Sequence, residues 1–113
     1  MEFRQLVKLY LSKKFEVKTA ENAFSAMAMI QNGFVPDIIV TDLMMPNGDG
    51  KTFIEQIKNT GAFAHIPVIV LSSIDKSSER ISLLQKGAED YILKPFNPLE
   101  LEVKINKLLQ KAA

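Results

Sequence analysis

Three short runs of β-branched and large apolar residues constrain this chain more than anything else in it. They are Asp37-Ile38-Ile39-Val40-Thr41, Val68-Ile69-Val70-Leu71 and Asp90-Tyr91-Ile92-Leu93. Each is too short for a helix. Their unbroken apolarity suits strands covered on both faces, as in a parallel sheet, rather than the alternation of a half-solvated one. Pro36 and Pro67 stand before two of them, where an incoming helix has to have stopped. A weaker run, Phe15-Glu16-Val17-Lys18-Thr19, alternates apolar and polar residues and predicts an edge strand.

Helical periodicity fills the intervals. Phe3, Val7 and Tyr10, with Leu6 and Leu11 beside them, form one stripe, and Ala23, Met27, Ile30 and Phe34 a second. Phe53, Ile54 and Ile57 form a third, and Ile81, Leu84 and Ala88 a fourth, which Gly87 stops. Leu101, Ile105 and Leu108 form the fifth, opened by Asn97 as cap and Pro98 in the first turn. Alternating helices and strands predict an open α/β sheet with right-handed crossovers. The chain of 113 residues is expected to be a single domain over residues 1–113, with five helices for four strands.

Composition removes several classes of function. A net charge of +1 supplies no field for nucleic acid or membrane, so neither is an expected partner. There is no cysteine, hence no thiolate or disulfide chemistry, and one histidine, His65, cannot build an imidazole metal cluster. No apolar run approaches the roughly 18 residues of a membrane span, and the first residues lack a signal-peptide pattern. The expected compartment is the cytoplasm.

The segment "TDLMMPNGDGKTF" admits competing chemistries. Gly50-Lys51-Thr52 ends like a phosphate-binding P-loop, but Met45 occupies the position of the required first glycine. A calcium loop fails because Met44 and Pro46 hold alternate ligand positions. The remaining reading starts from Asp42, at the C-terminal end of an apolar strand, where open α/β sheets place ligands. Ser72 and Lys94 follow the other two strands. Were the strands neighbours, a nucleophilic carboxylate, a hydroxyl donor and an ammonium group would meet in one crevice. Strand ends also meet water and often carry such residues for that reason alone. The lysines at positions 13, 14, 104, 107 and 111 read as solvated faces.

With those residues in view, the chain resembles the receiver domains of two-component response regulators. "PDIIVTDLMMPNGDG" resembles the family's acceptor segment, "IPVIVLSS" its fourth strand and "KGAEDYILKPF" its fifth. The resemblance implies a flavodoxin-like α/β fold with an open parallel sheet flanked by helices. It also implies a signalling switch rather than an enzyme. It makes Asp42 the acceptor of a phosphoryl group from a histidine kinase or phosphotransfer protein. Ser72 and Tyr91 become the switch pair, Lys94 the phosphate-contacting lysine, and Pro95 a cis-proline. Mg²⁺ would be held partly by Asp42 and the backbone carbonyl of Met44. Phosphorylation would remodel the face of the fourth helix, fifth strand and fifth helix for a downstream protein.

One departure stands out. The family begins with an apolar central strand ending in two acidic residues, whereas Met1-Glu2-Phe3-Arg4 already reads as the start of the first helix. The resemblance implies that about ten residues are absent. Without the acids Mg²⁺ binding is expected to be weak or absent. Glu2 is the nearest substitute in sequence, and Asp49 is expected to face solvent. Each buried strand side chain is worth about 1.5–3 kcal/mol, so the sheet has to compensate. The Phe15–Thr19 strand closes up, residues 3–11 change role, or the free edge pairs with another chain as a homo-oligomer. Two alternatives stay open: a receiver-like interaction module that cannot be phosphorylated, and a flavodoxin-like enzyme.

Overall fold

The computed structural model describes residues 3–42, 44–45 and 48–112, with the backbone alone at 3, 44, 45, 48, 49 and 112. Helix α1 (Phe3–Leu11) and helix α2 (Ala23–Gln31) precede strand β1 (Ile39–Asp42). The two-residue strands β2 (Met44–Met45) and β3 (Gly48–Asp49) form a small antiparallel pair and lead into α3 (Gly50–Asn59). Strand β4 (Val68–Ser72), α4 (Ser77–Gln85), β5 (Asp90–Leu93) and α5 (Pro98–Ala112) complete the order. No helix among the described residues is long and apolar enough to cross a membrane.

The sheet is parallel, in the order β1-β4-β5, as the three apolar runs predict. Alternate residues of β4 serve opposite layers. Val68 and Val70 pack with Phe53, Ile54, Ile57 and Leu83, while Ile69 and Leu71 pack with Leu11, Leu101 and Ile105. β4 is buried along its whole length.

Three expectations need correction. Residues 16–20 form no strand, because among the described residues nothing supplies a ladder partner. Phe15 and Val17 still pack against the apolar layer under α1 and α5. Residues 3–11 are helical, as their periodicity predicts, and do not take a strand's role. In α4, Ile81 and Leu84 point outward at 52% and 43% exposure, and the buried residue is Leu83. Leu83 is flanked on its face by Glu79 and Lys86, which pair with Lys51 (2.7 Å) and Glu55 (3.5 Å) of α3. That face is charged in sequence and interior in structure. The Phe34 stripe overruns α2, which ends two residues before Gly33.

Both α2 and α4 stop in the same way. Beyond α2, Gly33 donates to Ile30 and Phe34 to Met29; beyond α4, Gly87 donates to Leu84 and Ala88 to Leu83. This is the paired closure of a Schellman motif, and it needs a positive φ at the glycine, here +109° and +117°. Gly87 has a second constraint. A Cβ there would lie 2.6 Å from Cγ of Lys58. The Lys58 ammonium donates to the carbonyls of Ile66 (2.6 Å) and Ala64 (3.3 Å) and to Glu89 (3.1 Å). Glu89 in turn accepts from the Val68 amide at 2.6 Å, fixing the start of β4. At the other end of β5, Asn97 caps α5 as expected, its Oδ1 accepting from the Leu99 amide at 2.9 Å.

Lys14 and Lys104 are not simply solvated: Lys104 pairs with Asp90 at 2.9 Å and Lys14 with the buried Glu102 at 2.7 Å. Glu102 also accepts from the Tyr10 hydroxyl at 3.1 Å, joining α1 to α5. The Lys14 hydrogen bond holds the Glu102 carboxyl below the usual carboxylate range, against the opposing effect of burial.

Gly33→Ala meets only backbone strain and is expected to lose about 1–2 kcal/mol. Gly87→Ala also displaces Lys58 and is expected to lose about 3 kcal/mol or more by urea denaturation; equal losses would remove the role given to Lys58. The Glu102 carboxyl is depressed in the folded state, so its contribution is present above the unfolded value of about 4.3 and lost as pH falls through the folded one. The stability difference between wild type and Glu102→Gln is therefore expected to be full at neutral pH and to vanish in acid.

Candidate functional site at the C-terminal edge of the sheet

The register of the sheet determines which strand ends meet. Asp42 of β1 lies opposite Leu71 of β4, and Ser72 of β4 lies opposite Leu93 of β5. Lys94 comes one residue later, its amide donating to the Ser72 carbonyl at 2.8 Å. Asp42, Ser72 and Lys94 therefore reach the same edge from three adjacent strands. The Lys94 ammonium forms an ion pair with Oδ2 of Asp42, bridging over the end of β4. Both side chains are partly exposed, so the pair can be reached from solvent.

Ser72 and Tyr91 meet on one residue. Ser72 is fully buried, and its Oγ accepts from the Ile74 amide at 3.0 Å. The Tyr91 hydroxyl donates to the Ile74 carbonyl at 2.7 Å, and its ring is buried. Displacing Ile74 therefore acts on both side chains at once. The Lys94–Pro95 peptide bond is cis. His65 is exposed in the loop before β4, away from this edge.

The family profile of the response regulator receiver domain matches residues 1–106. The chain belongs to the response regulator receiver domain family. The sensor histidine kinase TmoS of Ectopseudomonas mendocina is 33% identical over 108 residues, covering 96% of this chain and 11% of that protein. The phosphate regulon regulator PhoB of Escherichia coli is 34% identical over 109 residues, covering 96% of this chain and 47% of that protein. This receiver domain thus spans less than half the length of either relative. Among solved structures, the Francisella response regulator 1452 receiver domain superposes with a TM-score of 0.89 at 30% identity. That match covers 97% of this chain and 89% of the other. The fold is the flavodoxin-like open sheet, and the family is one of signalling proteins rather than enzymes.

Receiver domains typically bind Mg²⁺. The residues described here do not fit that ion well. Among them no group of three or more acidic or imidazole side chains converges. At this edge the described carboxylate is Asp42, already paired with Lys94. Mg²⁺ demands near-octahedral oxygen ligands and is usually held by more than one charged oxygen group. Glu2 lies outside the described residues, as does the Asp49 side chain, and Met44 is described by its backbone alone.

The chemical consequence can be measured. Titrating Mg²⁺ into the isotopically labelled chain is expected to leave the amide signals around Asp42 unsaturated through the sub-millimolar range. Saturation within that range would mean that other oxygen ligands complete the site.

Proposed function

We propose that Asp42 accepts a phosphoryl group from a phosphohistidine of a histidine kinase or phosphotransfer protein, and that Ser72, Tyr91 and Lys94 read its arrival. The observation that carries this reading is the Asp42–Lys94 ion pair at the end of three parallel strands. A carboxylate oxygen of Asp42 attacks phosphorus, a P–O bond forms and the P–N bond breaks. The imidazole leaves with that electron pair and takes up a proton from water. Lys94 then exchanges a carboxylate oxygen for a phosphoryl oxygen, a charge-assisted contact that follows the added charge. The Ser72 hydroxyl donates to the phosphoryl group.

Ser72 holds the Ile74 amide and Tyr91 holds the Ile74 carbonyl, so movement of one is felt by the other. That coupling passes the event to β5 and to the surface formed with α4 and α5, where a downstream protein docks. Phosphorylation thereby biases a two-state element through local charge. A cytoplasmic location belongs to this reading.

A second reading has its own support. The absence of an acidic cluster among the described residues favours an interaction module that keeps the surface without the chemistry. Acetyl phosphate with and without Mg²⁺, followed by intact-protein mass spectrometry, separates the two. The expected outcome is a gain of one phosphoryl group that Asp42→Asn abolishes and Lys94→Ala slows by about a hundredfold or more. No gain under any condition would leave the interaction module.

A further inference from the structure

Helix α4 is tied to the molecule by little apolar packing. Leu83 is its buried residue, whereas α3 buries Gly50, Phe53, Ile54 and Ile57. Ile81 and Leu84 of α4 face outward. Its N-cap residue, Lys76, makes no side-chain capping bond. A helix seated by one buried side chain has few interlocking ridges to resist sliding along its own axis.

Charge supplies what packing lacks. Glu79 and Lys86 flank Leu83 at helical spacing and share its face. Glu79 pairs with Lys51 at 2.7 Å and Lys86 with Glu55 at 3.5 Å. Lys86 also reaches the Ser82 hydroxyl at 3.5 Å. The two helices therefore run the same way along this contact. The signs read cation then anion on α3, and anion then cation on α4.

Lys51 and Glu55 stand one turn apart, about 6 Å along the axis. A slide of α4 by one turn towards the C-terminal end of α3 would bring Glu79 beside Glu55. The reverse slide would bring Lys86 beside Lys51. Either displacement turns attraction into like-charge repulsion. A single partly exposed ion pair stabilises little. Two of opposite polarity separate the observed position from both of its neighbours.

The position of α4 is felt at the rim of the sheet. Ile74 lies just before Ser77, the first residue of α4, and its amide and carbonyl bond Ser72 and Tyr91. The Ile74 side chain packs on the layer that contains Leu83. A displaced α4 therefore pulls on the peptide groups that Ser72 and Tyr91 share.

We propose that Lys51, Glu55, Glu79 and Lys86 form a charge register that holds α4 at one position on α3 and so fixes Ile74 between Ser72 and Tyr91. The register responds to ionic strength, because all four side chains are partly exposed. It belongs to the resting chain and does not rest on the phosphotransfer reading.

Exchanging the charges of one pair separates register from mere pairing. In Glu55→Lys/Lys86→Glu both ion pairs can still form, but α3 then presents two cations and α4 two anions. The slide that brings Glu79 beside position 55 is no longer repelled. Adding Lys51→Glu and Glu79→Lys restores opposed polarity with every sign inverted. Relaxation dispersion on the labelled 113-residue chain reads millisecond exchange at the amides of Ile74, Leu83 and Tyr91. The double variant is expected to show an exchange contribution larger by about threefold or more, and the quadruple variant to return to within about twofold of wild type. Wild type is expected to gain about threefold between about 50 mM and about 1 M NaCl, as the charges are screened. Amides of α2, a helix without a charged residue, are expected to stay unchanged. The inverted charges oppose the α4 dipole, so the thermal midpoint is measured separately. A lower midpoint with exchange as quiet as in wild type supports the register. A double variant as quiet as wild type would reduce the pairs to surface ties and overturn the proposal. So would a quadruple variant that exchanges like the double, or wild-type exchange indifferent to salt.

Discussion

Strand β4 is the constraint on which the rest of the structure depends. It is hydrogen-bonded on both edges and buried on both faces, so its position admits little slack. Its start is set by the Glu89 carboxylate on the Val68 amide, and Glu89 is itself held by Lys58. A slip of one residue would send Val68 and Val70 to the layer now filled by Ile69 and Leu71. Because that slip is excluded by packing, the ends of β1, β4 and β5 come level at the opposite edge. The clamp at the base of the sheet and the site at its rim are thus two ends of one register.

At the rim, charge and hydrogen bonding are arranged in sequence rather than in parallel. Lys94 neutralises Asp42 across the end of β4, and the backbone of Lys94 is bonded to Ser72. Ser72 and Tyr91 then share the peptide groups of Ile74. A change of charge at Asp42 consequently has a short covalent and hydrogen-bonded route to Tyr91. The route needs no long-range mechanism, since each member touches the next.

The sheet is less complete on its β1 side. Phe15 and Val17 join an apolar layer, so the side-chain part of a strand's stabilisation is present there. The backbone part is not, since residues 16–20 have no ladder among the described residues. Strand identity belongs to a pair of segments, and alternation in one of them is half of the requirement. The same lack of a neighbour leaves β1 half-buried despite its sequence.

Local signals determined a good deal. The three apolar runs, the Asn97 cap, the stop at Gly87 and the positions of Asp42, Ser72 and Lys94 at strand ends are all legible in the chain. Each depends on periodicity, φ preference or a side chain bonding a nearby backbone group, which are short-range properties. Tertiary structure alone decided the rest. Leu83 is interior because Glu79 and Lys86 find partners on α3, so a face that hydropathy assigns to water is turned inward. Glu102 is buried because Tyr10 and Lys14, far away in sequence, reach it. Residues 16–20 form no strand because a ladder requires a second backbone. In each case the outcome was set by what lay opposite, and a linear sequence does not state what lies opposite.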